Sequence, residues 1–206
     1  MRKLKSQMPY ETVVITRNSH INASAIGVYI QHQKYFMRVF ENSNTFQNLL
    51  RNKEFSINFV SFEQLGLLLR CALKGHNNDE EELNENEILF WNGIPYLKNT
   101  CAVIVRVVEA CVQEICDWIG STKCMEIIAE EIFSFGKMSE PVIRSKNIPI
   151  LECAVLATRY FDACPESKRK LRKKIEVLLP KIEGWEAEVR IIRQIIWEGK
   201  VGLGAP

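Results

Sequence analysis

The chain has 206 residues, 47% of them hydrophobic and 25% charged, with a formal net charge of +2. A chain of this length buries about 70% of its unfolded surface, so its core needs no disulfide or metal staple. A small, patterned charge argues neither for nor against nucleic acid, and the absence of a run of about 18 apolar residues excludes a membrane-spanning helix.

Residues 1–9 are basic and read as a frayed end. Residues 10–17 (YETVVITR) are rich in Val, Ile and Thr and predict a strand. Residues 22–30 and 34–40 predict two more, joined near His32, so the three form an antiparallel meander. Ser43 to Asn52 predicts a short helix, because Phe46, Leu49 and Leu50 recur at helical spacing. Asn44 followed by Gln47 fits a capping pair at its start. Residues 54–60 (EFSINFV) return to strand. Ser61 and Gln64 then form a capping box that opens a second helix ending at Gly75. Residues 77–87 hold six acids and no base and read as a solvated loop; they lack the Gly and ligand spacing of a calcium loop. Residues 100–116 are a long β-branched strand.

After Gly120 the pattern reads as helix. Met125, Ile128 and Ile132 share one face, and Leu151, Ala154, Val155 and Thr158 another. Leu171, Ile175, Leu178, Leu179 and Ile182 form a third, and Val189, Ile192 and Ile196 a fourth. The expected division is therefore a β-rich domain over residues 1–120 and a helical region over 121–206.

The seven cysteines include no C-x-x-C pair, and most lie in apolar runs, which predicts buried free thiols. The odd count and the lack of a signal peptide point to a reducing cytoplasm. His20, His32 and His76 fall in predicted turns or loops, unpaired at any metal-ligand spacing, so no metal site is expected. No G-x-S-x-G, H-E-x-x-H or P-loop is present, nor any evident nucleophile–base pair. Residues 168–174 (KRKLRKK) carry six bases around Leu171; an exposed helix face is favoured over nucleic-acid contact, because no aromatics are interleaved.

Two places suit a flat phosphorylated cofactor. Asn22, Ala23, Ser24 and Ala25 are small strand residues that let a planar group approach the backbone, or simply a closely packed strand. Ser43, Thr45 and Asn48 surround a helix start, where N–H groups and the dipole attract an anion, or serve as ordinary caps. Arg38, on the same strand face as Phe40, can supply a fixed positive charge.

The order ETVVIT, INASAIGV, FMRVFENSNTFQNLL and FSINFV, followed by ILECAVLATR at residues 150–159, resembles an archaeal family of uncharacterised flavoproteins related to the flavin reductases. The likeness spans roughly residues 10–160; it departs from the family pattern at Ala25, where the family has Pro, and at Asn42, where it has Gly. The resemblance implies an α+β fold: a six-stranded, antiparallel, Greek-key-like FMN-binding split β-barrel with a C-terminal helical part. It further implies a homodimer with FMN near its interface. On that reading the backbone of Asn22–Ala25 lines the isoalloxazine. Arg38, Ser43, Thr45 and Asn48 hold its phosphate and ribityl chain, and Phe40 belongs to the same cofactor site. The expected function is an FMN-dependent, flavin-reductase-like oxidoreductase; a nicotinamide is one candidate hydride donor, and no sequence feature marks a separate site for it. The alternatives are a non-catalytic flavin-sensing module and a nucleic-acid-binding protein acting through the basic helix.

Overall fold

The fold comes from a computed structural model that describes residues 8–73, 83–117, 121–137, 140–144, 148–160 and 163–198. Three antiparallel strands open it: β1 (Tyr10–Arg17), β2 (Ile21–Gln31) and β3 (Lys34–Phe40). His32 and Gln33 turn β2 into β3 with φ of 50° and 60°, the left-handed pair that a two-residue hairpin requires. Helix α1 (Asn44–Arg51) follows, and β4 (Glu54–Phe59) returns beside β1. The spatial order β4-β1-β2-β3 is that of a Greek key.

Helix α2 (Leu65–Leu73) comes next, after a 3₁₀ turn at Phe62–Gln64. Its capping box is the predicted one: the Ser61 N–H donates to Gln64 Oε1 at 3.0 Å. Gly75, His76 and most of the acidic run lie outside the described residues. A hairpin of β5 (Ile88–Trp91) and β6 (Ile94–Leu97) leads to β7 (Cys101–Cys116) and β8 (Ser121–Phe135). β8 pairs with β3 and β7 with β4, closing a six-stranded antiparallel barrel in the order β1-β2-β3-β8-β7-β4. Helices α3 (Pro149–Thr158), α4 (Pro165–Leu178) and α5 (Glu186–Arg193) follow among the described residues.

The expectation of helix from residue 121 is corrected, because β8 is a strand to Phe135 and the C-terminal helices begin at Pro149. The physical reason is a pair of bulges. Register jumps between Ile104/Val105 and between Val107/Glu109 leave Ile132 and Val108 without opposite numbers. Apolar residues also stand on both faces of β8, since Met125 and Ile127 fill the barrel while Ile128 lies on the other face, so Met125, Ile128 and Ile132 fall at helical spacing.

Two cores form on opposite faces of the same strands. Val14, Met37, Phe55, Ile57, Val105 and Ile127 fill the barrel. Val13, Ile15 and Ala23 face outward and pack with Leu68, Leu69, Ala154, Leu171 and Ile192 from the helices. This double burial explains why β1 is apolar throughout rather than alternating. Burying each large aliphatic side chain contributes about 1.5–3 kcal/mol. In the basic segment Leu171 and Ile175 are fully buried, Lys170 pairs with Glu166, and Arg172 donates to the Tyr160 hydroxyl and the Ile196 carbonyl.

The cysteine expectation is partly corrected. All seven are free; Cys71, Cys124 and Cys153 are buried and Cys101 is half-buried, but Cys111, Cys116 and Cys164 are exposed. Cys111 and Cys116 lie where β7 outruns the barrel, so their apolar sequence context does not translate into burial.

Candidate functional site

β2 and β3 pair only over Val28–Gln31 against Lys34–Met37. Upstream, Ile21–Gly27 keep β1 on one edge, and no strand among the described residues pairs with the other. Arg38–Phe40 of β3 go on instead with β8. The sheet is therefore split at one end of the barrel, and α1 occupies that end, with Phe46 and Leu49 seated in the barrel core.

The start of α1 is bonded to β2. The Asn22 amide donates to Thr45 Oγ1 at 2.8 Å and to Ser24 Oγ at 3.2 Å, and Thr45 Oγ1 donates to Ser24 Oγ at 2.8 Å. Thr45 is fully buried and Asn22 is 7% exposed. Ser43, not Asn44, is the N-cap: its Oγ accepts from the Phe46 N–H at 3.2 Å and donates to the Phe40 carbonyl at 2.7 Å. Asn48, one turn on, donates to Thr16 Oγ1 of β1 at 3.0 Å. Asn22, Ser24 and Thr45 thus form one cluster, with Ser43 and Asn48 on the same helix.

Ala23 and Ala25 point the other way, into the helix-side core, where their small size admits α2. What β2 offers at the split is its backbone edge. Arg38 lies on the outer face of β3 opposite Glu126, to which its Nε donates at 2.8 Å. Phe40, on that same face, is 40% exposed.

Several features escape a reading of local pattern. Glu11 is only 2% exposed and is paired with Arg144, whose Nη2 sits 3.1 Å from the place of a Cβ on Gly27. Gly27 is thus fixed by close approach, not by turn geometry. Asp117 at the end of β7 pairs with Arg159 at the end of α3. Asn58 is fully buried: it donates to the Val13 carbonyl and Ser56 Oγ, each at 2.9 Å, and accepts from the Leu97 N–H at 2.8 Å. That network ties the β5–β6 hairpin to the barrel. The sequence signal for this hairpin is Asn92-Gly93, with φ of 47° and 80°. A cleft of about 140 Å³ beside Trp185 and a groove of about 710 Å³ beside Trp197 lie in the helical part and share no residue with the split.

A closed six-stranded barrel with one split end and helices on its outer face is the split-barrel fold, shared with a flavin reductase domain protein from Arthrobacter sp. FB24. The chain belongs to the family described as Protein of unknown function (DUF447), N-terminal domain, whose family model matches residues 10–126. The uncharacterised protein MJ1453 of Methanocaldococcus jannaschii is 31% identical to it over 156 residues, 74% of each chain. The crystal structure of FMN-bound MM1853 from Methanosarcina mazei matches with a TM-score of 0.61 at 21% identity, covering 94% of this chain and 96% of that one. The flavoredoxin of Desulfovibrio vulgaris (Miyazaki F) matches with a TM-score of 0.52 at 13% identity, covering 68% of this chain and 82% of that one. At these identities the two solved structures share its fold.

Proposed function

We propose that this chain binds one FMN per subunit in the split between β2 and β3 and works as a homodimeric, cytoplasmic, flavin-dependent oxidoreductase. One observation carries the reading: the open edge of Asn22–Ala25 runs directly into the start of α1, to which it is hydrogen-bonded through Thr45. The FMN named for MM1853 supports it.

The residues present fit the group. The backbone edge of Asn22–Ala25 lines the isoalloxazine. Ser43, Thr45 and Asn48 flank the phosphate and ribityl chain at a helix end whose dipole favours an anion. Arg38, with Phe40 beside it, supplies the full positive charge. To do so it must leave Glu126, but Arg38 is 44% exposed, and such a surface pair holds by only about 0–1 kcal/mol. A charge-assisted bond to phosphate offers roughly 1.5–3 kcal/mol, enough to redirect it. Bound FMN supplies the redox chemistry, and the protein supplies position and electrostatics.

The exposed apolar side chains Leu89, Phe90, Ile132 and Phe133 offer a second copy a surface to cover. Seven free thiols suit a reducing compartment.

The purified protein should be yellow, and cofactor released by heat should run as FMN on chromatography. Recovery of FAD alone, or no uptake of micromolar FMN, would overturn the assignment. Anaerobic bleaching of the bound flavin by reduced nicotinamide, with turnover, would support the oxidoreductase; binding without turnover would leave a flavin-sensing module.

A further inference from the structure

β7 and β8 outrun the barrel. β7 pairs with β4 only as far as Arg106, and β8 with β3 only from Cys124 onward. Beyond those points Glu114–Cys116 and Ser121–Lys123 pair with each other alone. An isolated two-stranded ribbon is marginal in water, so an ordered one needs anchors. This overhang stands at the split end of the barrel, where β2 begins, β3 ends and α1 lies.

The ribbon is anchored on both sides of the split. On one side the Glu41 N–H donates to the Lys123 carbonyl at 3.0 Å, two residues before the Ser43 cap. On the other, Asp117 pairs with Arg159 at the end of α3. α3 and α2 share the core that covers Ala23 and Ala25 on β2. Ribbon, α3, α2, β2, α1 and the Glu41–Ser43 loop therefore form a closed circuit around the split. We propose that the β7–β8 ribbon is a strap across the ligand site, fastened by the Arg159–Asp117 ion pair, so that ligand exchange requires this fastening to open.

Asp117 and Arg159 are 31% and 32% exposed, which makes the pair a weak, salt-sensitive latch. The proposal rests on the flavin reading for the identity of the ligand, and its test separates the two. Flavin fluorescence in stopped flow reports release of FMN and of riboflavin from preformed complexes. Asp117→Asn and Arg159→Gln should each release both ligands about three- to fivefold faster at low salt, the scale of one exposed ion pair. High salt should speed the wild type likewise, and the swapped pair Asp117→Arg with Arg159→Asp should restore slow release. Unchanged release in both single variants would overturn the latch. Faster release of FMN but not riboflavin would also overturn it, by making Arg159 a direct phosphate ligand.

Hydrogen exchange on the ligand-free protein tests the strap apart from the flavin. Amides of Cys111–Cys116 should exchange faster in Asp117→Asn, while those of Val103–Val105 in the barrel stay protected; equal protection of the ribbon overturns the proposal. A wild type that takes up no FMN overturns the flavin reading and, with it, the strap's part in ligand exchange.

Discussion

Asn22 and Thr45 lie 23 residues apart in the chain and meet through a buried 2.8 Å hydrogen bond from Nδ2 to Oγ1. The bond joins the split strand to the helix that props the split open. Together with the Thr45–Ser24 bond it ties the edge of β2 to the first turn of α1. Thr45→Val keeps the volume but removes the acceptor for Asn22 and the donor for Ser24. It should cost about 1–3 kcal/mol of stability and weaken FMN binding, because buried polar partners are left unpaired. Thr45→Ser, which keeps the hydroxyl, should cost less. Urea unfolding and flavin titration on both variants check this; equal losses would show that the methyl packing, not the hydrogen bond, matters.

Arg38→Ala should weaken FMN by roughly 0.5–3 kcal/mol, the phosphate bond less the Glu126 pair it replaces, and leave riboflavin unchanged, since riboflavin lacks the phosphate. Lys170→Ala, on the exposed face of α4, should alter neither. Parallel fluorescence titrations of the two ligands decide it. Equal weakening of both would show that Arg38 is not the phosphate ligand.

Asn58→Leu should destabilise the barrel by roughly 2–4 kcal/mol, because the buried Leu97 N–H and Val13 carbonyl lose their side-chain partner together. The urea midpoint should fall without a change in slope. A midpoint within error of the wild type would mean that the β5–β6 hairpin is not anchored through this side chain.

Thiol reactivity should divide the cysteines by place. Burial pushes the Cys153 thiol up to about 12, with Glu152 adding to the effect, so it stays protonated and shielded. Cys111, Cys116 and Cys164 are exposed. A disulfide reagent at neutral pH should label these three quickly and Cys71, Cys124 and Cys153 only on unfolding, as peptide mapping would show.

Glu87 predicts a pH dependence. Burial pushes its carboxyl up, but two hydrogen bonds from Arg70 and one from the Asn84 N–H outweigh it and leave it below its ordinary value. The folded state thus holds this proton less tightly than the unfolded state. Its stabilisation is present above the ordinary carboxylate range and is lost as pH falls through the depressed value. Glu87→Gln should lower the melting temperature at neutral pH, and by progressively less as pH falls below the ordinary carboxylate range.

The first three strands, α1 and β4 are legible because their signals are local: β-branched runs, a capping serine and a three-to-four-residue apolar spacing. Asn22, Ser24 and Thr45 could be placed near one another because motif order constrains them. Other features depend on contacts that no window of sequence contains. Arg38 reads as a free cation, but its partner Glu126 is set by a strand register 88 residues away. Glu11 looks like an ordinary polar residue at the start of a strand, because its partner Arg144 comes from the segment before α3. β8 was hidden for a different reason: it carries apolar residues on both faces, Met125 and Ile127 toward the barrel and Ile128 away from it, so its pattern does not alternate.

Barrel closure through β3 and β8 has a consequence for biosynthesis. As the chain leaves the ribosome, β1 to β4 can pair among themselves while both outer edges of that sheet stay bare until β7 and β8 emerge. Bare edges recruit neighbouring chains, and pairings so distant in sequence form slowly. The nascent half-barrel is therefore the most aggregation-prone species of this protein, and slowed translation after β4 should lower its soluble yield.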